Sequence, residues 1–354
     1  MKNLKRIIAL LLAAVSVFLL VSCADTQVSE ENGYVVTCGD TNLDFAAFYS
    51  ELYNYKNDFL FNYLELDADN PAIWSQDSPA GNSETVGDTV KRMALENVAQ
   101  FAWVVEYAKD NGAVLDENDL ADLEEGYNKL KENLGSEEAY QEYLKTLSFD
   151  DESFKEYLKE TLYYDKGFRL LTGENGLYAI TDEEYEKFYE ENFYSVKHIF
   201  INDLNKEDED GNTVELTAEE KKEKEAKAEK IFADLESGTD FETLYMLSED
   251  GMSTSYPDGI TFTYGMIESV YENAVKSLKP GEYTKINGGN GGIYILLRVD
   301  LIESDIETYS ELITSTLNTD VQERIYADHK GEVKINYDMV NACKIEDVPA
   351  AGQK

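Results

Sequence analysis

The sequence predicts an α+β chain: a mostly helical unit built from both chain ends, with a compact β-containing unit inserted between them. Three observations predict it. Apolar residues recur at helical spacing through most of Leu43 to Phe193. At Tyr194 the pattern changes to alternation, and that stretch ends in an apolar run, Gly292–Val299. Helical spacing then resumes after Asp300, so helical patterning flanks the β-containing stretch on both sides.

The elements follow in order. Tyr34–Cys38 is β-prone and meets a turn at Gly39-Asp40. Phe45, Phe48, Tyr49, Leu52 and Tyr55 mark a first helix. Asp67–Thr85, with Pro71, Pro79 and Gly81, reads as a long loop. A second helix runs from about Val86 to Asn111 and stops at Gly112. Further helices are expected near 117–134, 137–147 and 150–171. Thr181 with Glu184 is a capping box that opens another.

Val196, His198 and Phe200 then suggest a strand, and an acidic loop spans Asp203–Glu215. Thr217 with Glu220 caps a charged helix that stops at Ser237-Gly238. A short helix at Phe241–Ser248, a strand at Ile260–Phe262 and a helix at about 267–278 follow. Pro280-Gly281 is a turn before the closing strand. The late helix spans about Ile306–Asp328, and Val333–Tyr337 is strand-like. The early strand at Tyr34–Cys38 is expected beside this late one. There is no internal repeat.

Charge excludes one class of function. Against 31 basic residues stand 72 acidic ones, a formal net charge of −41 at pH 7. Nucleic-acid binding needs clustered Lys and Arg to neutralise phosphates, so no nucleic-acid partner is expected. Without a CxxC or a Cys/His cluster, no metal site and no cofactor are expected. Asp208–Asn212 lacks the ligand spacing of an EF-hand and reads as a solvated acidic loop. Gly288–Gly292 opens no helix, so it is a turn and not a phosphate cradle. Cys38 and Cys343 lie at chain ends expected to meet. They form either a disulfide, which an oxidising exterior permits, or two free thiols. His329, near a helix end, reads as a surface or capping residue.

The first residues carry an address. Lys2, Lys5 and Arg6 precede an uncharged apolar run, Ile7–Val21, that ends at Leu20-Val21-Ser22-Cys23. The run is short for a membrane span, which needs about 20 apolar residues. This is the layout of a signal peptide. The last four residues resemble the lipobox of bacterial lipoproteins. That resemblance implies cleavage before Cys23, diacylglycerol on its thiol, and attachment to the outer face of a cell membrane. The alternative is an ordinary signal peptide that contains a cysteine. Ala24–Asn32 reads as a polar tether.

Residues 194–300 resemble the parvulin family of peptidyl-prolyl isomerases. Val196-Lys197-His198-Ile199-Phe200-Ile201 is similar to the family's first strand with its first histidine. Lys230-Ile231 through Ser237-Gly238-Thr239-Asp240-Phe241 resembles its helix, Gly turn and Asp-Phe. Ser248-Glu249-Asp250 falls where parvulins have Ser, a polar residue, then Cys or Asp. Phe262, Gly265, Ile267 and Tyr271 match the pocket-lining set, and Leu278–Glu282 the Leu-Lys-x-Gly-Glu turn. Gly292–Arg298 looks like the closing strand. The sequence departs from the family at Tyr294, where a second histidine is normal, and before Phe262, where a diglycine is replaced by Tyr256-Pro257-Asp258-Gly259.

The resemblance implies an inserted parvulin (FKBP-like) α+β domain at 194–302. Residues 1–22 would be the signal peptide and 23–33 the lipidated cysteine and tether. Residues 34–193 and 303–354 would form a helical chaperone domain similar to extracytoplasmic foldases of the PrsA and SurA type. It further implies a proline slot formed by Phe262, Ile267 and Tyr271, above a polar floor of His198 and Asp250, with Tyr294 offering a hydroxyl. Taken singly, His198 fits a satisfied structural histidine, Asp250 a turn former, and the slot residues simple core.

The expected function is a membrane-anchored foldase that isomerises X–Pro bonds in newly secreted or unfolded proteins. The runner-up is a non-catalytic chaperone whose parvulin unit has become a binding module. A solute-binding or structural lipoprotein is the third reading. Homodimerisation through the helical unit is left open.

Overall fold

The computed structural model describes residues 33–63, 71–78, 83–208 and 210–350. The signal-peptide and lipobox expectations, Cys23 included, lie outside the described residues. The chain runs β1 (Tyr34–Cys38), β2 (Thr41–Asp44), α1 (Phe45–Tyr63), α2 (Val86–Asp110), α3 (Glu117–Leu134), α4 (Glu137–Thr146), α5 (Asp151–Thr172) and α6 (Asp182–Asn192). It continues through β3 (Phe193–Ile201), β4 (Asn205–Glu207), β5 (Thr213–Glu215), α7 (Ala218–Glu236), α8 (Phe241–Tyr245), α9 (Met252–Ser255), β6 (Ile260–Thr263) and α10 (Ser269–Ser277). It closes with β7 (Tyr283–Asn287), β8 (Ile293–Val299), α11 (Asp305–Thr308), α12 (Ser310–His329), β9 (Lys334–Ile335) and α13 (Tyr337–Ala342). The described residues form two compact units, one of those up to 180 together with those from 317 on, the other of those between 181 and 316. No helix among the described residues is long and apolar enough to cross a membrane.

The helical unit is built on α2. Thr85 and Asp88 form its capping box, which satisfies two otherwise orphaned amides. Val90, Ala94, Val98, Ala102 and Val105 are buried along it. Gly167 lets α5 approach closely, since a Cβ there would lie 2.5 Å from the Val104 carbonyl oxygen. The two chain ends meet as expected: β1 is the middle strand of β2-β1-β9, with Val36 opposite Ile335. Lys56 secures the last residues. Its ammonium, in a side chain only 4 % exposed, donates to the carbonyls of Ile345 (2.9 Å) and Val348 (2.5 Å).

Of the two readings left open for Cys38 and Cys343, the structure has the free thiols, both buried. The charges acting on Cys38 are Glu106, Glu332 and Asp110, whereas Cys343 feels Lys91 and Asp347. Along α2, Lys91 and Glu106 are roughly 22 Å apart at 1.5 Å per residue, and a disulfide needs Cα atoms within about 7 Å. His329 is the last residue of α12 and half-buried. It stacks on Trp103 at 3.7 Å and bonds Glu332 (2.7 Å) and the Tyr178 hydroxyl (3.0 Å). The late helix is interrupted at Tyr309, whose ring packs on Phe193 and whose hydroxyl bonds the Thr261 carbonyl. The last strand is only Lys334–Ile335, because Asn336 caps the next helix by accepting from the Met339 amide.

The second unit is a four-stranded antiparallel sheet in the order β6-β3-β8-β7. Period-two alternation sends β3 and β8 side chains to two faces. Ile199, Ile201, Ile293 and Ile295 meet α7 and α8 through Ile231, Leu235, Phe241 and Leu244. Val196 and Leu296 face the other way, against Phe262, Tyr271 and Val275. The unit begins at 181, ahead of the expected 194. There α6 runs directly into β3, and Tyr189 packs on Phe193 at 5.0 Å.

Candidate active site

The second sheet face gathers most of the expected site. His198 and Tyr294 share it, because His198 lies opposite Leu296 and Phe200 opposite Tyr294. Phe262 arrives from β6 and Tyr271 from the first turn of α10. Phe262, Tyr271 and His198 are buried, and Ile267 and Tyr294 are half-buried against the same cluster. The rings stand edge-on. His198 meets Tyr271 at 5.7 Å and Tyr294 at 5.4 Å, and Tyr271 meets Tyr294 at 5.4 Å.

A hydrogen-bonded line crosses this face. His198 Nε2 lies 2.6 Å from Asp250 Oδ2, and its Nδ1 lies 2.7 Å from the Tyr271 hydroxyl. A carboxylate only accepts, so Nε2 carries a proton. In the neutral imidazole Nδ1 is then the acceptor, and the Tyr271 O–H donates to it. Burial drives the Tyr271 hydroxyl well above its ordinary pKa, and the neighbouring Tyr294, Asp250 and Tyr245 push the same way. It therefore stays a donor at neutral pH.

Asp250 is fixed by the turn that carries it. Its Oδ1 accepts from the Ser248 hydroxyl (2.7 Å) and the Met252 amide (3.1 Å). Ser248 in turn accepts from the Phe200 amide at 2.9 Å, which ties the turn to β3. Burial would raise the Asp250 pKa, but the bonds from His198, Ser248 and Met252 outweigh it and hold the carboxyl below its usual value. Next to it, Glu249 bonds the Asn202 amide (2.9 Å) and the ammonium groups of Lys224 (2.8 Å) and Lys227 (2.7 Å).

The loop that presents Ile267 is held by Glu272, a residue only 2 % exposed. Its Oε1 accepts from the amides of Gly265 (2.7 Å) and Ile267 (3.2 Å). Sequence reasoning missed Glu272, since one acid on a charged chain carries no signal. It also placed Tyr271 in an apolar slot, whereas its hydroxyl is half of the polar line. The Tyr294 ring packs against Phe200 (4.9 Å) and His198 (5.4 Å). No group of His, Cys, Asp and Glu that could hold a metal ion occurs among the described residues. Lipidation of Cys23 lies outside them.

Residues 181–300 match the family described as the PPIC-type PPIASE domain. Among solved structures the chain is similar to a peptidylprolyl isomerase (PrsA) from Bacillus cereus. The two share 19 % identity over 76 % of this chain and 89 % of that one, with a TM-score of 0.30. PrsA from Bacillus subtilis gives 18 % identity over 75 % and 89 %, with a TM-score of 0.25. A Campylobacter jejuni structure described among two SurA-like chaperones gives 13 % identity over 86 % and 98 %, with a TM-score of 0.28. At these identities and scores no functional statement rests on the structural likenesses. No curated protein matches the chain. The family match covers the sheet unit from its first helix to its closing strand, and within those bounds this chain carries a parvulin-type, PPIC-type PPIase domain.

Proposed function

We propose that this protein is a membrane-anchored extracytoplasmic foldase whose α+β unit isomerises X–Pro bonds in newly secreted proteins. The Asp250–His198–Tyr271 line, lying beside Phe262 and Ile267 in a unit of the PPIC type, carries the reading. Isomerisation makes and breaks no lasting bond. Its barrier of about 18–20 kcal/mol comes from amide conjugation. A catalyst must favour the twisted amide over either planar form. Phe262 and Ile267 offer an apolar wall to the prolyl ring. The fixed dipoles of the His198 line offer polar stabilisation that needs no reorganisation as the amide twists.

Anchoring rests on the lipobox-like Leu20–Cys23. Two acyl chains hold a protein firmly at a bilayer. Metabolic labelling with a fatty-acid analogue should tag the wild type and not Cys23→Ser. Clients would be unfolded chains with accessible X–Pro bonds.

Exchange NMR on short X–Pro peptides tests the activity, using the chain from Ala24 onward. Rate enhancement that falls for His198→Ala and Asp250→Ala supports the isomerase. The second reading, a chaperone with a degenerate binding module, is favoured by Tyr294 at the second-histidine position. It requires suppression of client aggregation with no enhancement on any peptide.

A further inference from the structure

We infer that Tyr271 is a positioning residue that supplies His198 with the second partner expected from a histidine at position 294, so that Tyr294 is a wall of the site and not a lesion. The inference rests on the isomerase reading of this unit and deepens it.

The argument is one of valence. His198 has two ring nitrogens and both are engaged, Nε2 by Asp250 at 2.6 Å and Nδ1 by Tyr271 at 2.7 Å. Nδ1 of a neutral imidazole has one lone pair in the ring plane, and the Tyr271 hydroxyl occupies it. A histidine at 294 could bond that nitrogen only by displacing Tyr271. Tyr271 is not free to yield. It is 3 % exposed, sits in the first turn of α10, and packs on Phe262 (6.1 Å) and Tyr294 (5.4 Å). Tyr294 presents its ring to His198 at 82°, a packing contact rather than a polar one. The two aromatic positions have therefore exchanged duties relative to the family pattern. The pocket-lining position on the helix carries the polar group, and the polar position on the strand carries the ring.

The chain has two histidines, so long-range proton–nitrogen NMR on the full chain in detergent micelles can resolve His198 from His329. The wild type should show the Nε2–H tautomer with Nδ1 as a hydrogen-bond acceptor. Tyr271→Phe keeps the ring and removes the hydroxyl. It should move Nδ1 to the free-base position and lower kcat/KM for X–Pro exchange about tenfold, as for loss of one buried hydrogen bond. Tyr294→His alone should not raise activity, whereas Tyr271→Phe/Tyr294→His, in which Nδ1 is vacated for the new histidine, should recover what Tyr271→Phe loses. A free-base Nδ1 in the wild type overturns the inference. So does a Tyr271→Phe variant with unchanged kcat/KM, or a gain in Tyr294→His. If even the wild type is inactive, the isomerase reading fails. The Nδ1 signal of wild type and Tyr271→Phe then decides the positioning role by itself.

Discussion

Replacing Glu272 with Ala should loosen the slot without touching His198. Glu272 Oε1 is the acceptor for both the Gly265 and the Ile267 amide, at 2.7 and 3.2 Å, and Glu268 at the start of α10 makes no side-chain cap. One acid thus pins the loop and occupies amides at the helix entrance. A hydrogen bond to a charged group contributes about 1.5–3 kcal/mol. The two bonds share one oxygen, and Gly265 lies on an exposed stretch where water can replace the lost acceptor. The expected loss for Glu272→Ala is therefore about 2–3 kcal/mol, below the sum of two full bonds. Glu272→Gln keeps a carbonyl oxygen in place and loses only the charge, so it should cost about 1 kcal/mol. Urea denaturation followed by hydrogen exchange in residues 260–296 measures both. Peptide KM should rise about tenfold in Glu272→Ala, because Ile267 is no longer held against the cluster. A Glu272→Ala protein within about 0.5 kcal/mol of wild type would refute the reasoning, since that is the range of a surface change. Equal damage from Ala and Gln would show that charge, not acceptance, holds the loop.

Three further outcomes follow. Gly167→Ala gains about 1 kcal/mol of helix propensity but drives a Cβ to 2.5 Å from the Val104 oxygen and 2.9 Å from the Ala108 Cβ. Overpacking costs about 1–3 kcal/mol, so the variant should be less stable. Fluorescence of Trp74 and Trp103, both in this unit's core, reads the transition. Burial raises the Glu51 pKa against the bonds from Asn97 and Tyr157. Its raised value favours the fold below the ordinary carboxylate range, and that contribution is lost as pH rises through the folded pKa. Glu51→Gln should therefore be more stable than wild type at pH 7, by about 1 kcal/mol, and lose that advantage in acid; thermal melts across pH check it. Finally, the charges acting on Tyr294 are Glu268 and Asp250. Peptides with Lys before proline should be turned over several-fold faster than those with Glu, a difference that shrinks in salt.

What could be read from the sequence was whatever carried a period or a cap. The apolar strand β8, the capping boxes at Thr181 and Thr217, and the stop at Ser237-Gly238 all lie where their patterns put them. Strand β7 gave no such pattern. It is an edge strand, half-buried along Tyr283–Ile286, so its residues need not alternate. The hairpin β4–β5 is exposed and polar, and it read as loop. The stack of His329 on Trp103 was not foreseen, because its partners Trp103 and Tyr178 lie more than a hundred residues away in sequence and no local pattern announces it.

The same reasoning explains why the site was legible by position and not by role. The resemblance to the parvulin family implied that His198, Asp250, Phe262, Ile267, Tyr271 and Tyr294 share one site. It could not tell which ring would turn its hydroxyl toward His198. That choice is set by geometry. Residue 271 approaches along α10 with its hydroxyl in the imidazole plane's reach, while residue 294 stands two places along β8 from the residue opposite His198 and meets it edge to face. A tyrosine and a phenylalanine at 271 would leave the same apolar pattern in sequence, yet only the tyrosine completes the line to Asp250. A homologue with Phe at this position and Tyr at 294 would have no partner for the second imidazole nitrogen from either residue. By this reasoning its isomerase activity should be about tenfold lower while the fold is kept. A chain with Phe at 271 and His at 294 should keep both, and measuring that pair would separate the fold from its chemistry.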